Sequence, residues 1–465
     1  MIKQFGYYDP SIKYKNRDGS YLLFVDLSFR FLVVKSDEGY FLIGGGIETK
    51  EDAIECLKRE VKEEIGAEIN GTTLVCETIT YYSLDEGNKM YQSHNYFYYA
   101  ENISFYKKTD EPLELLKLTF SEAIAKLTLE HQRWAVLYFR EHISKYTNNP
   151  LIMDSINFIN GLNTNDLQLI RSVPKSDLHN HAVFGSSKDI FYKYTGVQVP
   201  EIKKPFINFE EFCRWCDSHI SNQFRNKEGF ISRIATALIS AEDDGIQKLC
   251  FNIAVCAMKF FDSADELIET IETLRHKYYH GSTFIPELCL DREKIRDSRY
   301  LDWYYQLLDT CYFQSIDLTG NELISTDLAV PLYREAEKKG LILKAHFAES
   351  YFSDNNLIDI KNLHLNEIQH GNMLIDDENA IKYLKENNIQ LNICPSSNYF
   401  LSNVKSLTQH PIGKLYQKNI RVTINSDDQL IFGSNVSNEY LNLFKNKVLN
   451  PEELNQIRLI GLGVL

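Results

Sequence analysis

The sequence predicts an α/β protein of two domains, the second of which is a (β/α)8 barrel. The chain has 465 residues, which is more than one ordinary hydrophobic core needs. After about residue 172, strand-like apolar runs alternate with helix-like stretches, whereas before about residue 145 such runs surround one acidic helix. We therefore expect a first domain over residues 1–145, a linker with a leading helix over 146–171, and a barrel over 172–465.

Eight strand-like runs over about 290 residues suit a closed barrel, and a doubly wound open sheet is the alternative. The runs are SDLHNH (176–181), KLCFNIAVC (248–256), TFIPELCL (283–290), FQSIDLTG (313–320), LILKAHFAE (341–349), NEIQHG (366–371), IQLNICPSS (389–397) and IRVTINSDD (420–428). Polar residues stand at or just past the carboxyl ends of most of these runs. In a barrel those ends form one mouth, where active sites lie, so the pattern favours the barrel.

Composition and charge limit the kind of partner. Apolar residues make up 44% and charged residues 25% of the chain, as in a soluble globular protein, and the net charge is −14. This acidic balance argues against a nucleic acid or an anionic membrane as the main partner. No apolar run approaches the roughly 20 residues of a membrane span, and the N-terminus has no signal-peptide core. The nine scattered cysteines favour reduced thiols, so we expect a cytoplasmic protein.

Four of the polar residues predict a metal site at the barrel mouth. They are His179 and His181 from the first run, His346 from the fifth and Asp427 from the eighth. Three neutral imidazoles and one carboxylate suit a borderline-soft divalent ion such as Zn²⁺, with one position left open for water.

Further residues at the same mouth predict the chemistry around that ion. Glu349 is placed to donate a proton, and His370 to orient or deprotonate the water. Asp428 is placed to hydrogen-bond the substrate, and Gly320 offers a backbone N–H where a side chain would block approach.

Six ordered motifs resemble those of the adenosine deaminase family. They are PKSDLHNH, SIDLTGNE, KAHFAES, EIQHGN, NICPSSN and INSDDQLIF, which span roughly residues 172–435. The resemblance implies a metal-dependent barrel that replaces the 6-amino group of a purine by oxygen. By resemblance, Zn²⁺ is bound by His179, His181, His346 and Asp427; Glu349 protonates purine N1, His370 handles the water, Asp428 contacts N7 and Gly320 contacts N3.

The chain departs from the family pattern after the two histidines. Nucleoside deaminases usually read HLDG there, with an Asp that meets the ribose 5′-hydroxyl, whereas this chain has Val183 in that place. Gly185 and Ser186 follow, and their N–H and hydroxyl groups suit a phosphate. One hypothesis is therefore a substrate with a 5′-phosphate, and the other is that another loop replaces the Asp. Since the helices after the last strand look shortened, we also expect a homo-oligomer.

The acidic helix of the first domain has a second, independent pattern. In GGIETKEDAIECLKREVKEEIGA (45–67), apolar residues recur at spacings of three and four, the region of Thr49, Glu51 and Asp52 opens the helix, and Gly66 ends it. Glu60, Glu63 and Glu64 share another face, where their mutual repulsion would be relieved by a hard cation such as Mg²⁺. An ordinary solvated helix face is the alternative reading of these glutamates alone.

The glycines and spacing of that segment resemble the Nudix box. The pattern Gx5Ex7REUxEExGU is matched throughout, with the small Ala67 in the place of a larger aliphatic residue. The resemblance implies an α/β/α sandwich that hydrolyses nucleoside diphosphates linked to another group. By resemblance, Glu60, Glu63 and Glu64 bind Mg²⁺ or Mn²⁺, while Glu51 and Arg59 pair structurally. The Tyr-rich segment 78–99 is a candidate for stacking on a base.

Together the two resemblances predict a bifunctional purine nucleotide enzyme. The barrel would deaminate an adenine nucleoside or nucleotide of the AMP, ATP or dATP class, and the Nudix domain would hydrolyse a nucleoside diphosphate derivative. Such a pairing suggests remodelling of the adenine nucleotide pool, with antiviral defence as one role. Two alternatives stay open: the Nudix half senses a nucleotide and regulates the deaminase, or the barrel acts on a non-adenine amine such as guanine or a pterin.

Overall fold

The computed structural model describes residues 1–84, 89–106, 113–349, 353 and 355–465 of the chain. These residues form two compact units, Met1–Ile156 and Asn157–Leu465. Part of the Tyr-rich segment named above, residues 85–88, lies outside the described residues. Within the described ranges, every helix falls short of the length and apolar character that crossing a lipid bilayer requires.

The N-terminal unit is a mixed sheet with helices. Its strands are β1 (Ile2–Phe5), β2 (Lys15–Asn16), β3 (Gly19–Leu23), β4 (Phe31–Ser36), β5 (Gly39–Phe41), β6 (Gly44–Gly46), β7 (Ala67–Leu84), β8 (Lys89–Phe105) and β9 (Glu114–Leu118). Its helices are α1 (Ala53–Ile65), α2 (Phe120–Lys126) and α3 (Glu130–His142). The larger sheet has the order β1-β7-β8-β3-β6, with β2 paired to β8, and β5-β4-β9 form a smaller one.

Helices pack on both faces of the larger sheet. Leu57, Val61 and Ile65 of α1 join a cluster with Leu22 and Tyr98. On the other side, the ring centroids of Phe139 in α3 and Tyr99 lie 5.4 Å apart. Because neighbouring strand residues point to opposite faces, Tyr98 and Tyr99 mark the two sides of the sheet. The predicted α/β/α sandwich is thereby confirmed.

The acidic helix begins and ends where its sequence predicts. Asp52 caps α1 by accepting hydrogen bonds from the backbone N–H groups of Ile54 and Glu55, and Glu55 completes a capping box. Gly66 ends the helix in the left-handed region at φ 60°, which glycine adopts without steric cost.

His131 of α3 gives the N-terminal unit a pH-dependent stability. Its Nε2 atom is buried without a hydrogen-bond partner, and burial lowers the pKa of His131 to about 4. Since the unfolded chain takes up the proton near pH 6.5, the free energy of unfolding falls as pH drops from about 6.5 to 4. Between pH 7.5 and 5 we expect this histidine to contribute a loss of about 2 kcal/mol.

Urea unfolding of the full chain at the two pH values measures this contribution. In His131→Leu the loss between pH 7.5 and 5 should shrink by about 2 kcal/mol. The matched control is His276→Leu, whose side chain is 70% exposed and which should leave the loss unchanged. An equal loss in His131→Leu and the wild type would show that His131 does not titrate in this way.

The C-terminal unit is a parallel barrel. Its strands are β10 (Lys175–Asp177), β11 (Ile246–Ala254), β12 (Thr283–Asp291), β13 (Ser315–Thr319), β14 (Ile342–Phe347), β15 (Glu367–His370), β16 (Gln390–Ile393) and β17 (Val422–Ile424). They neighbour one another in chain order, and each pairs in parallel with the next. The predicted (β/α)8 architecture is confirmed.

Helices surround this barrel, and the apolar core lies between them and the strands. Helix α4 (Pro150–Thr164) crosses the division between the two units. The others are α5 (Leu167–Ser172), α6 (Lys188–Thr195), α7 (Phe209–His219), α8 (Lys227–Asp243), α9 (Ala264–Tyr278), α10 (Ser298–Asp309), α11 (Val330–Lys338), α12 (Asn356–Asn362), α13 (Glu378–Glu386), α14 (Pro395–Phe400), α15 (Ile412–Gln417), α16 (Gln429–Phe432), α17 (Val436–Lys445) and α18 (Pro451–Leu462).

The first and last strands meet just beyond their carboxyl ends. A single parallel bridge joins Asn180 to Asp427, and the N–H of Asp427 donates to the carbonyl oxygen of His179 at 3.0 Å. The strand-like run 176–181 extends beyond β10, which ends at Asp177, so His179 and His181 lie just past the carboxyl end of the strand, as the pattern of polar residues predicted. The closing bridge holds these histidines next to the last strand.

Candidate active site

Closure of the barrel brings the four predicted metal ligands together. His179, His181 and His346 have ring nitrogens within 4.8 Å of one another. Asp427 Oδ1 lies 3.3 Å from His181 Nε2 and 3.6 Å from His179 Nε2. Residues within β14 and just past the carboxyl ends of β10 and β17 thus converge on one point, although nearly 250 positions of sequence separate the first from the last.

The hydrogen bonds behind two of these imidazoles fit a metal site. His179 Nδ1 lies 3.3 Å from the carbonyl oxygen of Asn392, so this nitrogen donates. His346 Nδ1 lies 3.2 Å from Asp317 Oδ1, and the pKa of Asp317, which burial alone would raise, is lowered by His346. Both rings therefore turn an Nε2 lone pair toward the cluster, and His179 Nε2 is buried with no hydrogen-bond partner. A divalent cation would satisfy this donor set.

The predicted acid and base lie beside the cluster. Glu349 Oε1 is 3.3 Å from His370 Nε2, and His370 Nε2 is 3.8 Å from Asp427 Oδ2. Burial, with the nearby carboxylates of Glu322 and Asp427, raises the pKa of Glu349 well above its usual range. A carboxyl group held in its protonated form at neutral pH can donate a proton to a substrate.

Asp428, which also lies at the cavity, has a raised pKa as well. Burial and the charge of Asp427 raise the pKa of Asp428 to about 8, and its Oδ1 is buried with no hydrogen-bond partner. Burial alone would lower the pKa of His181, but the carboxylates of Asp428 and Asp427 raise it.

A cavity of about 350 Å³ opens onto this cluster, which is the volume range of small-molecule sites. Its polar lining includes His181, Asn252, Asp291, Glu293, Thr319, Gly320, His346, Glu349, His370, Asp427 and Asp428. Its apolar lining includes Val183, Phe184, Phe209, Phe212 and Leu401. Gly320 has φ 96°, and a Cβ atom there would lie 3.2 Å from Asp291 Oδ1, so only glycine leaves this wall open.

The structure places two of the predicted substrate-binding residues away from the cavity lining. Gly185 and Ser186 do not line the cavity. Ser186 is 1% exposed, and its hydroxyl donates to the carbonyl of Ser187 and lies 3.4 Å from Ser240 Oγ. A Cβ at Gly185 would meet the Asn180 side chain at 2.6 Å. These residues support the loop that carries the histidines, and their polar groups are used there.

Sequence reasoning missed two residues that orient the histidines of the site. Asp317 orients His346, and the Asn392 carbonyl orients His179. Asp317 stands in the SIDLTG run three residues before Gly320, and period-two alternation along that strand was the available signal. Asn392 contacts His179 through its backbone, so its side-chain identity carried no signal.

The N-terminal unit presents a second polar group around α1. The N–H of Gly44 donates to Glu64 Oε2 at 2.9 Å. Arg59 pairs with Glu51 at 2.8 Å, which confirms the predicted structural pair, and its Nη1 also binds Glu60 at 2.8 Å and Glu63 at 3.1 Å. Because Arg59 engages Glu60 and Glu63, these glutamates do not form a ready cation cage with Glu64 among the described residues.

Glu60 is more enclosed than Glu63, with 16% of its side chain exposed against 53%. Burial raises its pKa despite the hydrogen bond from Arg59. A Cβ at Gly45 would lie 2.4 Å from Glu60 Oε1, so glycine is needed for this carboxylate to reach the loop before α1. Carboxylate oxygens are the ligands that Mg²⁺ and Mn²⁺ prefer, and the donor chemistry of Glu60, Glu63 and Glu64 fits such ions.

Comparison with known proteins agrees with both halves. The family model described as adenosine deaminase matches residues 294–462, and the NUDIX domain model matches residues 16–136. An adenosine deaminase of Clostridium acetobutylicum is 33% identical over 282 residues, which cover 59% of this chain and 72% of that protein. The chain belongs to the adenosine deaminase family. It carries a Nudix domain in front of its deaminase barrel.

Solved structures agree with the fold of the deaminase barrel. The adenine deaminase of Arthrobacter aurescens superposes with a TM-score of 0.54 at 20% identity, covering 63% of this chain and 93% of that one. The N6-methyl-AMP deaminase of Arabidopsis thaliana superposes with a TM-score of 0.51 at 17% identity, covering 64% of this chain and 94% of that one. The chain is a hydrolase by family, and its substrates are the subject of the proposals below.

Proposed function

We propose that the barrel hydrolytically deaminates an adenine nucleoside or free adenine. The observation that carries this proposal is the convergence of His179, His181, His346 and Asp427 on one point beside Glu349, at the wall of one cavity. A zinc ion held by these four residues would supply the Lewis acidity that activates an attacking water.

The remaining steps belong to side chains of this chain. The protonated Glu349 carboxyl donates to purine N1, which makes C6 more electrophilic, and His370 orients the attacking water. Asp428 faces N7 and the Gly320 N–H faces N3, so the base is held by its ring nitrogens. Water adds at C6, the 6-amino group takes up a proton and leaves as ammonia, and the 6-oxo purine remains.

The charge of the cavity favours an uncharged substrate over a nucleotide. Asp291 and Glu293 line it, and no Lys or Arg does so among the residues that the structure describes. Asp291 pairs with Lys294 at 2.6 Å, so the repulsion of a phosphate comes mainly from the Glu293 carboxylate, whereas ribose hydroxyls can donate hydrogen bonds to either carboxylate. Ser186, the other candidate for a phosphate contact, is buried, which also favours the uncharged substrate. The relatives span both classes, because one structural neighbour is described as an adenine deaminase and another as an N6-methyl-AMP deaminase.

A substrate panel tests this choice. With Zn²⁺ supplied, we expect ammonia release from adenosine, deoxyadenosine or adenine to exceed that from AMP, ATP and dATP, and guanine and a pterin to be poor substrates. Glu293→Lys should raise kcat/KM for AMP relative to adenosine roughly tenfold, because the substitution turns repulsion into attraction.

Glu269→Lys is the matched control, since it makes the same charge change on the barrel exterior, where Glu269 is exposed. It should leave the ratio unchanged. Faster turnover of AMP or ATP than of adenosine by the wild type would contradict the nucleoside proposal and restore the 5′-phosphate hypothesis.

We propose that the Nudix domain hydrolyses a nucleoside diphosphate derivative with Mg²⁺ or Mn²⁺ bound by Glu60, Glu63 and Glu64. This proposal is supported by the complete Nudix box and by the placement of Glu60 against Gly45. Glu63→Gln is expected to lower metal-dependent pyrophosphate hydrolysis by on the order of 10²-fold or more, with deamination unchanged. Glu68→Gln, an exposed residue of β7, is the control. If Glu63→Gln instead altered only deamination, the Nudix domain would be a nucleotide sensor that regulates the barrel.

A further inference from the structure

His410 lies behind the active site, and its ring nitrogens have fixed roles. The residue is 4% exposed and precedes α15. The backbone N–H of Ile412 points at His410 Nδ1 over 3.2 Å. A backbone N–H can only donate, so Nδ1 must carry a lone pair and the ring proton must be on Nε2. The tautomer of His410 is therefore set by the main chain.

That tautomer fixes the side-chain amide of Asn398. His410 Nε2 lies 3.1 Å from Asn398 Oδ1, and because Nε2 donates, the atom that faces it must be the amide oxygen. The other end of the amide, Nδ2, then lies 3.1 Å from His370 Nδ1. The backbone N–H of Asn398 donates to the Cys394 carbonyl at 3.0 Å, and its own carbonyl accepts from the Asn403 N–H at 2.9 Å. The backbone of Asn398 is thus fixed by these two bonds, and its side-chain amide lies between His410 and His370.

The orientation of the Asn398 amide in turn fixes the tautomer of His370. Since Asn398 Nδ2 donates, His370 Nδ1 must be bare, and the ring proton must be on Nε2. An imidazolium is disfavoured by this contact, because its Nδ1–H would face the amide N–H. The Nε2–H of His370 points toward Glu349 Oε1 at 3.3 Å and Asp427 Oδ2 at 3.8 Å. It therefore presents a proton, and no lone pair, to the cavity.

We propose that His410 and Asn398 are positioning residues that hold His370 in its Nε2–H tautomer, so that His370 enters the reaction as a hydrogen-bond donor to the attacking water and does not act as its base. Burial lowers the pKa of His410 to about 3, which agrees with a neutral ring. The catalytic consequence rests on the proposed deamination, but the tautomer itself does not. Its test can therefore fail independently of the substrate assignment.

Nitrogen NMR of the full chain with ¹⁵N-labelled histidine measures the tautomer directly, before and after addition of Zn²⁺. The chain has 12 histidines, and the His370 signals are identified by their loss in His370→Asn. In the wild type we expect His370 Nδ1 to resonate as an unprotonated nitrogen and Nε2 as a protonated one. The same pattern is expected for His410.

Two substitutions separate positioning from mere structural support. Asn398→Asp replaces the donor that faces His370 by an acceptor of the same shape, so His370 should gain a proton on Nδ1. We expect kcat to fall about 10- to 100-fold with bound Zn²⁺ unchanged, the usual effect of altering an outer partner of a site. His410→Gln can still accept from Ile412 and donate to Asn398, so it should keep the wild-type His370 spectrum and most of kcat.

Either of two results would overturn the proposal. One is a wild-type His370 that is protonated on Nδ1, which needs no variant and so does not depend on how any variant folds. The other is an Asn398→Asp protein that loses activity while the His370 spectrum stays as in the wild type, because the loss would then be structural. If the wild type showed the expected tautomer but deaminated no purine, the positioning would stand and the proposed function would fail.

Discussion

Replacing Asp427 with asparagine is expected to lower kcat/KM for deamination by on the order of 10³-fold or more, together with loss of bound zinc. Asp427 contributes the negatively charged oxygen that lies 3.3 and 3.6 Å from the Nε2 atoms of His181 and His179. Asparagine keeps the shape but removes that charge, so the cluster loses its anionic ligand. Metal content by mass spectrometry and ammonia release measure the two effects.

The fold should survive this substitution. Asp427 has φ 55°, in the left-handed region, where asparagine is among the few residues tolerated. Its backbone N–H, which joins the last strand to His179, is unchanged. Asp376→Asn, at an exposed carboxylate outside the cavity, is the control and should retain zinc and activity. Full activity in Asp427→Asn would rule out this residue as a ligand.

Replacing Glu349 with glutamine is expected to lower kcat by on the order of 10²–10⁴-fold, the usual contribution of a general acid. Here the zinc content should stay at the wild-type level, because Glu349 is not one of the proposed ligands. Glutamine keeps the size of the side chain and its hydrogen bonding, but it cannot supply the proton that purine N1 needs. Rapid-quench measurement of product formation would show the loss in the chemical step.

The outcome separates two roles for this carboxyl. Loss of kcat with KM little changed identifies a proton donor that acts in the transition state. A rise in KM with kcat unchanged would mean that Glu349 only binds substrate, and the proposed acid would have to be another group. Glu386→Gln, on the exterior helix α13, is the matched control.

The fold could be predicted because polar residues stand at or just past the carboxyl ends of most barrel strands. In an α/β barrel, residues at the carboxyl ends of the strands all lie at the same mouth. The alternation of apolar runs with helices indicated the architecture, and the His and Asp residues at the strand ends indicated the site. The Nudix helix was predictable for a related reason. Asp52 and Gly66 are strong end signals, and the apolar stripe between them has a helical period.

Residues that act through others were not predictable from the sequence. His410 and Asn398 lie 12 positions apart in a segment of loops and short helices, and each has the ordinary sequence context of a buried or capping residue. Their positioning role follows only from the tertiary contacts of His410 Nε2 with Asn398 Oδ1 and of Asn398 Nδ2 with His370 Nδ1. For Ser186, the sequence suggested a role that the packing does not favour. A Ser after a Gly suggests a phosphate-binding loop, whereas the burial of Ser186 against Ser240 depends on tertiary packing.

The central claim is that His179, His181, His346 and Asp427 share one cation. Anomalous diffraction at the zinc absorption edge, from crystals of the full chain grown with Zn²⁺, tests it most directly. The account predicts a strong anomalous peak at about 2.0–2.2 Å from the three imidazole nitrogens and the Asp427 carboxylate. A zinc-loaded, active protein whose anomalous peak lay elsewhere, or was absent between these four side chains, would contradict it.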